Sequence, residues 1–226
     1  MVKKQWLSIG FIVFLALLFR LILIPNPGFE ADISFWKSWG LGVVDMGLVK
    51  GIAATNNNYP VPFAYALGLM VGIYKLFADP HNFNQFWSNT NVLFLAIAKS
   101  FPILADFGIG AIIFWFTRLI LKLQPQASPP ARWGPALSSR LPIILASLYL
   151  LNPISLIDGA LWGQVDSLGV FIFLLAVVFA VKKKPMLAGA IFVCAMMTKL
   201  QNMIYGPLFF LFLWKYMGFD GLMRAI

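Results

Sequence analysis

The sequence predicts an all-α protein, a polytopic transmembrane helix bundle with one large external loop, and three observations predict it. Of its 226 residues, 61% are hydrophobic, 16% aromatic and only 11% charged, where soluble domains have about 45–50% apolar and about 25% charged residues. The mean hydropathy is +0.84. Apolar runs recur at 6–24, 92–121, 141–157, 167–181, 186–198 and 203–217, against a requirement of about 20 residues, or about 17 at the short end, for a membrane span. The basic residues sit between these runs rather than in a patch, so the net charge of +9 reads as membrane topology and not as a nucleic-acid surface. Residues 1–226 form a single module with no soluble linker and no internal repeat.

The first run, Trp6–Ile24, follows Lys3 and Lys4 and is interrupted only by Arg20. It is too long for a signal-peptide core and no small-residue cleavage site follows it, so it predicts an uncleaved signal anchor. "PNPG" at 25–28 ends it. "LNP" at 151–153 ends the third span, because proline drives the residue before it away from helical geometry. The run 186–198 is short for a span. A weaker apolar stretch, Val61–Ala78, begins with "YPVP" and holds Lys75.

Charge settles where that stretch belongs. If 61–78 crossed the membrane with the N-terminus inside, Lys122, Arg132, Arg140 and Lys182–Lys184 would all lie outside, against the strong cytoplasmic bias of Lys and Arg. If it lies along the outer leaflet, residues 25–91 become one external loop, and 122–140 and 182–184 both fall inside. The acids then sort without further assumption. Of the eight, Glu30, Asp32, Asp45, Asp79, Asp158 and Asp166 lie outside, Asp106 lies within the second span, and only Asp220 lies beyond the last inner lysine.

Cys194 is the only cysteine and His81 the only histidine, which excludes an intramolecular disulfide and a zinc site built from His and Cys. Three stretches carry candidate chemistry. In "FEADISFWKSWG", residues 29–40, Asp32 and Trp36 share a helix face at i, i+4, with Glu30 pointing elsewhere. An indole beside a carboxylate suits a sugar and a hydroxyl proton, while acids in a first helical turn and tryptophan at an interface account for the same residues without a site. In "MTKLQNMIYGP", residues 197–207, Lys199 and Gln201 interrupt an apolar run, and a lysine at membrane depth needs a partner such as phosphate, or must snorkel. In "GALWGQVDSLG", residues 159–169, Trp162 and Asp166 stay together whether the backbone is helical or extended. Asp166 also suits a helix cap ahead of Ser167, which leaves Gln164 without a reason.

Taken in order, "EAD", "YPVP", "LNPISLIDGALWGQVDSLG" and "TKLQNMIYGP" resemble the GT-C superfamily of integral membrane glycosyltransferases. The resemblance is strongest to the polyprenyl-phosphate-sugar-dependent mannosyl- and glucosyltransferases, such as the second GPI mannosyltransferase and the endoplasmic-reticulum glucosyltransferases of the N-glycan precursor. It spans residues 29–207, with Leu200 where many prokaryotic relatives have proline. It implies juxtamembrane helices in the first external loop and a hexose, mannose or glucose, moved with inversion from a polyprenyl-phosphate donor to a glycan, lipid or protein acceptor. Residue by residue, it implies Asp32 as the base with Glu30 second, Lys199 and Gln201 on the lipid phosphate, and Trp36, Tyr59, Trp162, Gln164 and Asp166 on the substrates. No cofactor is demanded, although Asp32 and Asp166 have the oxygen ligands for Mg²⁺ or Mn²⁺.

Such relatives have more spans, so a chain stopping at "GLMRAI" is expected to be incomplete at its C-terminus. The expected location is the inner membrane of a prokaryote, or the endoplasmic reticulum in a eukaryote. Two other readings stand beside this one. Lys99, Asp106 and Lys199 could line the path of a lipid-linked sugar transporter or flippase, or the chain could be a non-catalytic membrane subunit.

Overall fold

A computed structural model of the chain describes residues 2–123 and 135–226, with side chains from residue 7 and again from residue 139. The middle of the expected inner connection, including Arg132, lies outside the described residues. Every regular element among the described residues is helical. α1 (Val2–Leu23) leads to α2 (Glu30–Met46), α3 (Leu48–Thr55), α4 (Val61–Lys75) and a short α5 (Phe83–Phe86). The 32-residue α6 (Val92–Leu123) follows. α7 (Pro135–Leu150) is succeeded by α8 (Pro153–Ser155), which runs directly into a π-helical segment, Leu156–Trp162. α9 (Asp166–Val181), α10 (Pro185–Thr198), a 3-10 segment (Leu200–Tyr205) and α11 (Gly206–Met223) complete the fold.

α6 is long and apolar enough to cross a membrane, extending about 48 Å at the helical rise. The pair formed by Ser139–Leu150 and Pro153–Trp162 qualifies as one bent span, with 44° between its limbs. Its break falls at "LNP", where Asn152 turns extended and its side chain accepts from the Ile154 amide. The chain does not then leave the helix for a loop. Pro153 takes a first-turn position, where its missing N–H costs nothing, and restarts the helix. α4, at 15 residues, reaches about 22 Å, less than the about 30 Å of a hydrocarbon core.

α6 and α9 run parallel. The Ser167 hydroxyl donates to the Pro102 carbonyl, and Lys182 stands over the Trp115 ring. α1 and α7 run against them, since Arg20 and Tyr149 both meet Asp106 while Ile12 and Ile143 lie beside Phe114. Lys122, Arg140 and Lys182–Lys184 therefore gather at one end of the bundle, and Asp32 and Asp166 lie at the other. That is the division of charge expected from the sequence.

Two apolar cores hold the elements. The first joins α2, α4 and α5 to the start of α6 through Trp36, Trp39, Phe63, Leu67, Tyr74 and Phe94, and takes in Val165. The second joins α9, α10 and α11 through Ala176, Ala188, Phe192, Phe209 and Leu213. Between them a buried ion pair ties α1 to α6. Arg20 meets Asp106 at 3.0 Å with side chains 0% and 1% exposed, and also donates to the Leu150 carbonyl at 2.8 Å. The Tyr149 hydroxyl donates to the other Asp106 oxygen at 2.9 Å. A pair sealed in this way persists because both oxygens of the buried carboxylate have a donor.

Candidate functional site

The polar end of the bundle is built where residues 24–29 cross residues 161–164. Gly28 has φ +71, and a Cβ there would lie 2.2 Å from the Trp162 carbonyl oxygen, so only glycine permits the approach. The Phe29 amide donates to that same oxygen at 3.3 Å. Beneath the crossing, the Lys99 ammonium donates to the carbonyls of Ile24, Asn26 and Leu161 at 3.1, 2.6 and 2.9 Å. Three carbonyls match its three protons, so a fully buried cation is satisfied without a carboxylate.

This crossing sets Asp32 against Gln164. Asp32 lies in the first turn of α2, where the helix dipole favours a carboxylate. Gly163, at φ +92, ends the π-helical segment in the left-handed region. The Asp158 carbonyl then accepts from the amides of Gly163 and Gln164 at 3.0 and 2.9 Å. The turn aims the Gln164 side chain at α2, and its amide donates to Asp32 Oδ2. Gln164, which no capping account explained, orients a carboxylate 132 positions away.

Asp166 begins α9, yet its side chain caps no amide of that helix. It turns instead to α10 and the 3-10 segment. Lys199 Nζ lies 2.5 Å from Asp166 Oδ1, and Gln201 Nε2 lies 3.4 Å from the same oxygen. Lys199 is extended, at φ −154 and ψ 123, between the two helices, so "KLQ" breaks the apolar run as its polar residues require. Tyr59 completes the group from the loop before α4. Burial raises its pKa, Asp32 and Asp166 raise it further, and Lys199 opposes them. The Asp158 carboxylate lies within electrostatic reach of Asp166 and Lys199 as well.

Six of the residues singled out from sequence therefore converge: Asp32, Tyr59, Gln164, Asp166, Lys199 and Gln201. Three do not. Trp36, expected to offer its ring beside Asp32, is 1% exposed and meets Phe63 edge-on at 6.0 Å between centroids. No sugar can reach that ring, and the placement is corrected to a core side chain of α2. Glu30 is exposed one residue past Phe29, on another side of the helix from Asp32. Trp162 is half-exposed and packs edge-on against Phe29, at the rim.

The supports were missed: Arg20, Lys37 and Lys99 are buried. Arg20 and Lys99 were visible as charges inside apolar runs, the signal that a partner must exist. Among the described residues, no group of three or more His, Cys, Asp or Glu side chains is placed to hold a metal ion. In comparisons with known proteins, no family model, no curated protein and no solved structure matches the chain.

Proposed function

We propose that the chain is a membrane glycosyltransferase that moves a hexose from a polyprenyl-phosphate carrier to an acceptor hydroxyl at the acidic end of the bundle. The observation that carries this reading is the gathering around Tyr59 of a donor-oriented carboxylate, Asp32, and of the Lys199 ammonium and Gln201 amide that meet on Asp166, brought from sequence positions far apart. The membrane setting has its own support. Leu7, Phe11, Phe14 and Ile22 of α1, Leu104 of α6, Leu148 of α7 and Leu208 of α11 are all exposed. An apolar surface of that extent suits lipid rather than water. The charge division supports a basic end in the cytoplasm and an acidic end outside, at a prokaryotic inner membrane or in the lumen of the endoplasmic reticulum.

The chemistry uses the residues in their places. Asp32 Oδ2 takes the Gln164 amide, and the carboxylate so oriented receives the proton of the acceptor hydroxyl. The acceptor oxygen forms its bond to the anomeric carbon from the face opposite the leaving group, inverting that centre. The bond from the anomeric carbon to the phosphate oxygen breaks, and its electron pair stays on the phosphate. That group needs positive charge and N–H donors rather than an acid, and Lys199 and Gln201 supply them. Tyr59, within electrostatic reach of Asp32, Asp166 and Lys199, faces the sugars, and Trp162 stays at the rim.

A transport path through Lys99, Asp106 and Lys199 is less well supported, because Lys99 and Asp106 are buried and held by neighbouring segments. The test is transfer of labelled hexose from a polyprenyl-phosphate hexose in detergent. Asp32→Asn, which keeps the shape and still accepts from Gln164, is expected to lower kcat at least about 100-fold with donor binding retained. Transfer at the wild-type rate would remove Asp32 from the role of base.

A further inference from the structure

We propose that Asp166 sets the selectivity of the Lys199–Gln201 donor pair, holding both donors while the site is empty and driving out the polyprenyl monophosphate that transfer leaves behind. The inference rests on the reading above in one respect, that Lys199 and Gln201 receive the phosphate.

The geometry points to a stand-in for an anion. Two donors from one turn converge on a single oxygen, Asp166 Oδ1, at 2.5 and 3.4 Å. A phosphate oxygen placed there would meet the same two donors. The pair is also able to open. The Lys199 and Asp166 side chains are 20% and 42% exposed, whereas those of Arg20 and Asp106 are 0% and 1% exposed. Separating the inner pair strands bare charge in the interior. Separating the outer one lets Asp166 turn to water at little cost.

Charge then distinguishes the two lipids. The sugar-bearing donor is a phosphodiester with one negative charge. The product is a monoester that carries about −1.5 to −2 at neutral pH, because the electron pair of the broken bond remains on its oxygen. Asp166 competes with both for Lys199, but its carboxylate repels the monoester more strongly. The same residue that yields to the donor thus displaces the product.

The experiment measures binding alone, with two probes that share a lipid: farnesyl phosphate, a monoester, and farnesyl methyl phosphate, a diester. Affinities are read by tryptophan fluorescence in detergent for the wild type, Asp166→Asn, Asp166→Glu and Lys199→Met. Asp166→Asn should tighten the monoester about tenfold and the diester less than about threefold. Asp166→Glu, which keeps the charge, should keep the wild-type ratio, a distinction that a merely structural role would not produce. Lys199→Met should weaken both. If Asp166→Asn leaves the monoester-to-diester ratio unchanged or lowers it while Lys199→Met still weakens binding, the role of Asp166 is overturned and the phosphate site stands. If Lys199→Met changes neither affinity, the phosphate site falls, and this inference with it.

Discussion

Lys37 is a cation placed among aromatic rings, and removing its charge should stabilise the protein. Its side chain is 1% exposed. The ammonium donates to the Ser88 carbonyl at 2.9 Å and lies 5.3 Å from the Phe94 ring and 5.9 Å from the Phe86 ring. Burial lowers its pKa from 10.5 to about 8. A base whose folded pKa is depressed destabilises the fold wherever it is still protonated. The penalty is complete below pH 8, shrinks between pH 8 and 10.5, and is gone above that. At about 1.4 kcal/mol per pH unit over that interval, the penalty at neutral pH is about 3.5 kcal/mol. Lys37→Met keeps the apolar stem and loses a charge-assisted hydrogen bond worth about 1.5 kcal/mol at the low end of its range, for a net gain of about 2 kcal/mol. For a chain of this size that raises Tm by about 4–8 °C. The assay is thermal unfolding in detergent by tryptophan fluorescence, at one scan rate, at pH 7 and pH 10. The wild type should gain on the variant as the pH rises. A variant that melts lower than the wild type by the same margin at both pH values would refute the reasoning, and would make the Ser88 and ring contacts worth more than the buried charge costs.

Gly28→Ala sets a Cβ against the Trp162 carbonyl at a left-handed position. It should cost at least about 2 kcal/mol, seen as a lowered Tm, with transfer falling as Asp32 moves off Gln164. Arg20→Met leaves Asp106 buried with two N–H donors fewer and should cost about 3–5 kcal/mol, while the double variant Arg20→Met/Asp106→Leu should recover most of it. Thermal melts of the two single variants and the double variant measure that coupling, and additive losses would show that the pair is not a unit.

What the sequence disclosed was polarity in the wrong surroundings. Gln164, Asp166, Lys199 and Gln201 stand out because apolar runs flank them, and all four come to one site. Helical periodicity was less informative at Trp36. Spacing at i, i+4 puts Asp32 and Trp36 on one side of α2, but it does not say how deep each sits. Asp32 is at the first turn, where the helix meets Gln164, and Trp36 is one turn further in, against Phe63. Asp166 misled in another way. Its sequence context is that of a helix cap, and its actual partners lie 33 and 35 positions ahead. No local rule reaches that far. Lys37 gave no signal, since a lysine in an external helix reads as solvated until the packing of α5 and α6 over it is known.

The three carbonyls around Lys99 bear on the order in which the protein is assembled. They belong to residues 75, 73 and 62 positions from the lysine, on both sides of it in the chain. The helix bearing Asp32 is made early, yet one of the strands of backbone it must cross arrives only with Leu161. Until then Lys99 has a proton without an acceptor, and the loop at Asn26 to Gly28 has nothing to close against. The polar end of the molecule is therefore completed late in synthesis, only after α6 and α7 have been made.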